Sequence, residues 1–130
     1  MMLARLSMWL LLSLILSVAW AEQSDVILLL DNSQTMKRVD PQGLASSAVA
    51  GAIERLRGDV RAGVVLFDRS VTLSVPLTAI TAESRPELLK ALQKLNYSGR
   101  YSDITVALEQ AIREFEANVR EEERKGRSSF

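Results

Sequence analysis

Between Asp25 and Met36 the chain reads DVILLLDNSQTM, and no other stretch limits the possible fold so tightly. Val26–Leu30 is an unbroken apolar run closed by Asp31. It is too short to span a membrane, and its lack of polar alternation suits a strand buried on both faces. Oxygen chemistry begins where the strand stops. Asp31, Ser33 and Thr35 follow at a spacing of two, so a loop leaving the strand can turn one carboxylate and two hydroxyls toward a common point. Hard oxygen groups of this kind point to Mg2+, Mn2+ or Ca2+.

What is missing from the chain narrows the chemistry further. There is no cysteine and no histidine in its 130 residues, which excludes disulfides, thiolate metal sites, cysteine nucleophiles and the usual zinc and Ser-His-Asp arrangements. Basic and acidic residues balance at 16 each, so nothing suggests nucleic acid as a partner. The length is that of about one small domain.

Residues 1–21 carry Arg5, an apolar stretch from Trp9 to Trp20, and Ala19-Trp20-Ala21 with small residues at both positions that a signal peptidase inspects. They read as a cleaved signal peptide, placing the remainder, residues 22–130, outside the cytoplasm as a periplasmic or secreted protein. The alternative is an uncleaved segment that anchors the chain to the membrane.

Beyond the first strand, Asp40-Pro41 offers an N-cap followed by proline at the first helical position. Leu44, Ala45, Ala48, Val49, Ala52, Ile53 and Leu56 then recur at helical spacing, predicting an amphipathic helix that ends near Gly58. Arg61–Phe67 contains a second buried strand, GVVLF. Strand, helix and strand over Asp25–Phe67 make a βαβ unit with parallel strands. Asp68-Arg69-Ser70 leaves room for a tight turn, and Val71, Leu73, Val75 and Leu77 alternate with polar residues and Pro76 as an antiparallel edge strand. Ser84 and Glu87 form a capping-box pattern before Leu88, Leu89, Leu92 and Leu95. A turn-rich loop, Asn96-Tyr97-Ser98-Gly99, leads to a longer helix starting at Ser102, with Ile104, Ala107, Leu108, Ala111, Phe115 and Val119 on one face and a charged, solvated end. Asn96-Tyr97-Ser98 also fits a glycosylation acceptor, though a turn accounts for it as well.

At Asp31-x-Ser33-x-Thr35 the sequence resembles the von Willebrand factor type A family, whose metal-ion-dependent adhesion site opens with Asp-x-Ser-x-Ser after the first buried strand. Thr35 departs from the usual serine but keeps the hydroxyl, and Asp40-Pro41 resembles bacterial members. In SGRYSDI, Ser102 stands where the family usually has the threonine of Gly-Thr-Asp-Ile, while Arg100 and Tyr101 replace small residues. Serine lacks the β-methyl that restricts χ1, so the oxygen is less preorganised. A cation at Arg100 opposes a metal unless it points away. The resemblance implies an α/β, Rossmann-like fold with a mostly parallel sheet and an antiparallel edge strand. It implies Ser33 and Thr35 as direct ligands of Mg2+ (or Mn2+ or Ca2+), Asp31 as an outer-sphere anchor and Ser102 as the second-loop ligand. An acidic side chain of a protein partner then completes the coordination, and no reaction is required. The family's third element, a Thr-Asp-Gly-like segment after a fourth strand, has no match, so the chain reads as the N-terminal half of such a domain.

Two other functions compete. Haloacid-dehalogenase-like phosphatases place Asp-x-Asp-x-Thr after a first buried strand, which would make Asp31 a phosphoryl-accepting nucleophile. Ser33 stands where that chemistry needs its second carboxylate. The other alternative is an envelope scaffold that binds its partners without metal.

Overall fold

The computed structural model describes residues 23–128, so the expected signal peptide lies outside the described residues. The apolar run becomes β1 (Ser24–Asp31), which takes in Asp31 itself. The hydroxyl-bearing segment after it winds into a short helix, α1 (Met36–Val39), that no apolar periodicity announces. α2 (Leu44–Arg55) crosses to β2 (Val60–Phe67), parallel to β1 in a register running from Ser24↔Val60 to Asp31↔Phe67. β3 (Val71–Ala79) returns antiparallel to β2. The sheet order is β1-β2-β3, and α3 (Ser84–Leu92) and α4 (Ile104–Arg127) complete the described elements. The expected α/β class, parallel pair and antiparallel edge strand are therefore present.

Strand alternation sends successive side chains to opposite faces, and each face has its own core. On one, Leu30, Val64 and Leu66 pack with Ile53 of α2 and Leu88, Ala91 and Leu92 of α3. On the other, Val65 and Phe67 meet Ala107 of α4, with Ile27 and Leu29 partly buried beside them. Arg61 fixes the far end of α4: it forms a two-pronged ion pair with Asp25 at 2.7 Å and a further one with Glu122 at 2.8 Å. The charged end of α4 is thus solvated except where Glu122 reaches the sheet.

Several local expectations need correction. α2 begins at Leu44 and ends at Arg55, and its N-cap is Gly43 at φ 68°, a conformation glycine adopts without penalty. Asp40 still satisfies the helix's first amides, its carboxylate accepting from Leu44 N at 2.7 Å and Ala45 N at 2.9 Å, but Pro41 lies in the intervening turn. At the other end of α2 the Arg85 guanidinium donates to the carbonyls of Ile53, Glu54 and Leu56. The Ser84–Glu87 box is replaced by a reciprocal pair one turn earlier: Thr81 N donates to Ser84 Oγ, and Ser84 N to Thr81 Oγ1. The last helix starts at Ile104, capped by the Asp103 carboxylate, which accepts from Thr105 N at 2.9 Å. Its apolar face is only partly covered: Ala107 and Ala111 are buried, while Ile104, Leu108, Phe115 and Val119 stay exposed.

β1 is the remaining correction. Only Leu30 of its apolar run is buried, although Val64 and Val65 of β2 are fully enclosed. Both runs are equally apolar, so the cause is position: β2 is flanked by a strand on each side, and β1 has one on a single side among the described residues. No helix among the described residues is long and apolar enough to cross a membrane.

Candidate metal centre

Parallel pairing brings the C-terminal ends of β1 and β2 to one edge of the sheet, the edge at which α/β proteins place their ligands. Asp31 closes β1 there. Its Oδ1 accepts from Ser33 N at 2.7 Å, and its Oδ2 from the Ser102 hydroxyl at 2.6 Å. The first motif and the second loop, 71 positions apart, therefore meet on one carboxylate. Because Asp103 caps α4, the Ser102 hydroxyl is left available for this contact. Burial pushes the Asp31 carboxyl up, but hydrogen bonds from Ser102 and from the Ser33 amide outweigh it and hold the group below the ordinary carboxylate value. A carboxylate so held is ionised at neutral pH.

Ser33 is 1% exposed, and its Oγ has no hydrogen-bond partner among the described residues. The hydroxyl lies near enough to Asp31 to help lower its pKa, yet the pair lacks the geometry of a hydrogen bond. Thr35 stands exposed at the start of α1 with no side-chain hydrogen bond to the helix. The structure thus joins Asp31, Ser33 and Ser102 directly, while Thr35 follows them on the same short segment.

A set of bonds that the sequence does not advertise holds the two loops together. Asn32, 6% exposed, accepts from Asn96 N at 2.8 Å and Tyr97 N at 2.7 Å through Oδ1, and donates from Nδ2 to Asn96 Oδ1 at 3.2 Å. Ser33 and Gly99 form a parallel bridge, flanked by Gln34 N to Gly99 O at 2.7 Å and Gly99 N to Asn32 O at 3.0 Å. A side chain at Gly99 would collide with that of Asp68, so only glycine fits the approach. Tyr97, at φ 51°, donates its hydroxyl to Asp40 Oδ2 at 2.6 Å. Burial, with this bond and the charges of Asp40 and Asp31, raises the phenol to about 12. The Tyr97 bond and the Ala45 and Leu44 amides in turn hold the Asp40 carboxyl below its ordinary value against a smaller effect of burial. Arg100 is exposed, and the exposed Tyr101 ring lies under the Arg69 guanidinium at 5.6 Å.

The donors fit a small, hard divalent cation. All are oxygens, and a buried hydroxyl without a partner costs about 1–3 kcal/mol, a cost that ligation of a cation by Ser33 Oγ would remove. Among the described residues no group of three or more His, Cys, Asp or Glu is placed to hold a metal ion, and the donors gathered here are mostly neutral oxygens.

The von Willebrand factor type A domain profile matches residues 26–127. The chain belongs to the von Willebrand factor type A family. Solved structures agree. A von Willebrand factor type A protein from Catenulispora acidiphila superposes with a TM-score of 0.63 at 24% identity, covering 74% of this type A chain and 23% of its own length. Proximal thread matrix protein 1 from the mussel byssus gives 0.52 at 22% identity, with 66% and 23% covered. A structure of that byssus protein with a zinc-occupied MIDAS motif gives 0.50 at 21%, with 66% and 24% covered. Identities in this range establish a shared fold. This chain spans about a quarter of the length of each of these relatives. No curated protein matches it.

Proposed function

We propose that this type A chain is an exported interaction module, periplasmic or secreted, that recognises an acidic side chain of a protein partner through a divalent cation. Ser33 Oγ carries the reading: it is fully buried, has no partner among the described residues and lies beside an ionised carboxylate already linked to the second loop. Ser33, Thr35 and Ser102 would hold the ion, with Mg2+ the leading choice and Mn2+ or Ca2+ the others. The ion would supply a positive charge that a partner carboxylate can share. The zinc-occupied motif of the byssus protein supports divalent-cation binding by a chain of this fold.

The chain's own residues do the orienting. Asp31 takes the Ser102 proton into a hydrogen bond, which leaves the Ser102 lone pairs free to face a ligand. Its other oxygen fixes the Ser33 backbone, so the two hydroxyl-bearing segments keep a common spacing. With both Asp31 oxygens so engaged, the carboxylate is a poor nucleophile, which argues against phosphoryl transfer. A single direct charge at most leaves a divalent ion under-neutralised and therefore open to an outside carboxylate.

The test is a titration of the chain with a glutamate-containing peptide, followed through the amide NMR signals of Gln34 and Gly99. Binding should require Mg2+ or Mn2+ and reverse with chelator. Chelator-insensitive binding would support a metal-free scaffold, and Mg2+-dependent hydrolysis of an aryl phosphate would support the phosphatase. Export is tested separately by N-terminal sequencing: a mature start at Glu22 is expected, and one at Met1 in the membrane fraction would mean an anchor.

A further inference from the structure

We propose that Asn32 is a positioning residue, the clamp that seats residues 96–99 on the end of β1 and thereby places Ser102 at Asp31. Its consequence for metal binding rests on the proposed cation site; its geometry does not. Asn32 is the unspecified residue between Asp31 and Ser33, yet both its backbone groups and its whole side chain are committed. Its N–H donates to Phe67 O at 2.7 Å and its C=O accepts from Gly99 N at 3.0 Å, so β1 passes at this residue from the end of β2 to the second loop. Its side-chain oxygen meanwhile takes two consecutive amides of that loop, Asn96 N and Tyr97 N.

The clamp bears on Ser102 through the short stretch of chain that joins them. Arg100, Tyr101 and Ser102 are all exposed, and among the described residues the Ser102 hydroxyl is tied down only at Asp31. Where that hydroxyl sits is therefore set by the fixed points on either side: the 96–99 segment before it, and the Asp103 N to Asp68 O bond of 2.7 Å after it. The segment also holds Tyr97 at φ 51°, a backbone region that bulky side chains seldom occupy. Such a conformation persists only where its surroundings enforce it. Here the Asn32 oxygen takes the Tyr97 amide and Asp40 takes its hydroxyl. Asn96 Oδ1 closes the arrangement by accepting from both Asn32 Nδ2 and Ser98 N.

Two substitutions of similar size separate clamping from space filling. Asn32→Asp keeps an acceptor for the two amides, whereas Asn32→Leu keeps the volume and removes every side-chain hydrogen bond. Both would be made in the full chain and followed by amide hydrogen exchange and by calorimetric titration with Mn2+. In Asn32→Leu, the Tyr97, Gly99 and Gln34 amides should exchange much faster while Val64 and Val65 stay protected. Mn2+ affinity should fall roughly 10- to 100-fold, the range for residues that orient metal ligands. Asn32→Asp keeps the acceptor but loses the Nδ2 donor to Asn96 Oδ1, so its loop amides should exchange more slowly than those of Asn32→Leu and its Mn2+ affinity should fall less. The reverse pattern, leucine tolerated and aspartate not, would overturn the clamp, as would unchanged exchange in Asn32→Leu. If Asn32→Leu does not fold, Asn96→Ala should give a smaller loosening of the same amides, and no loosening there would also overturn it. If wild type binds no Mn2+, the metal reading fails, and the exchange measurements still decide the clamp.

Discussion

β1 and β2 are parallel neighbours of nearly equal apolar character, but only β2 has its requirements met. Val64, Val65, Leu66 and Phe67 are all at 2% exposure or less, with a paired strand on each side and a helix layer over each face. β1 keeps one unpaired edge among the described residues and half-buried side chains at Val26–Leu29, and just past its end lies a buried hydroxyl with no partner. The difference teaches that an apolar run records what a strand is suited to bury, whereas the cover it receives depends on its neighbours. At the end of β1 the unmet requirement is polar, and there it reads as a place for a ligand.

The largest expected effect tests that contrast in the core. Leu66→Ala should cost about 2–5 kcal/mol in denaturant unfolding, the usual range for a buried leucine. Leu28→Ala in β1, facing the same core from an edge, should cost no more than about half of that, because less buried surface is lost. Equal losses would erase the distinction between the strands. The next effect comes from a tight backbone approach between β2 and β3. A Cβ at Gly63 would lie 2.8 Å from Val75 O, so Gly63→Ala should destabilise by about 1–3 kcal/mol. Ile27→Ala, at the position paired with Gly63 across the sheet, removes volume from the half-covered strand and should be milder than Leu66→Ala.

The smallest effect is a dependence on pH near the open end of β1. The Tyr97 hydroxyl and the Ala45 and Leu44 amides lower the Asp40 pKa in the folded chain, so unfolding raises it. Its contribution is therefore fully present above the unfolded-state value and is lost as pH falls through the depressed folded value. Asp40→Asn should flatten the acid limb of a stability–pH curve. A change confined to alkaline pH would contradict that sign.

Much of the fold is legible in the sequence because it rests on short-range pattern. Val26–Leu30, GVVLF and the alternation from Val71 to Leu77 each declare a strand; the spacing of two singles out Asp31, Ser33 and Thr35, and the family resemblance adds Ser102, whose hydroxyl meets the Asp31 carboxylate. The clamp is not legible, since Asn32 occupies a position that the motif leaves open and its partners lie 64 and 65 positions away. The start of α2 escapes the pattern for a related reason: Asp40 caps amides four and five residues ahead through a turn, while the Asp-Pro pattern presumes adjacency. On α4 the spacing of Ile104, Leu108, Phe115 and Val119 identifies an apolar face correctly, but spacing carries no information about what covers it.

The central claim, that the lone buried hydroxyl at the end of β1 is a metal ligand, is tested most directly by Ser33→Ala measured in two conditions. In chelator the substitution removes an unsatisfied polar atom, so stability in denaturant should stay the same or rise by up to about 1 kcal/mol. In millimolar Mn2+ the wild type should gain stability in proportion to its occupancy, and Ser33→Ala should gain little or none. Destabilisation in chelator together with an unchanged response to Mn2+ would contradict the account and make Ser33 a structural residue.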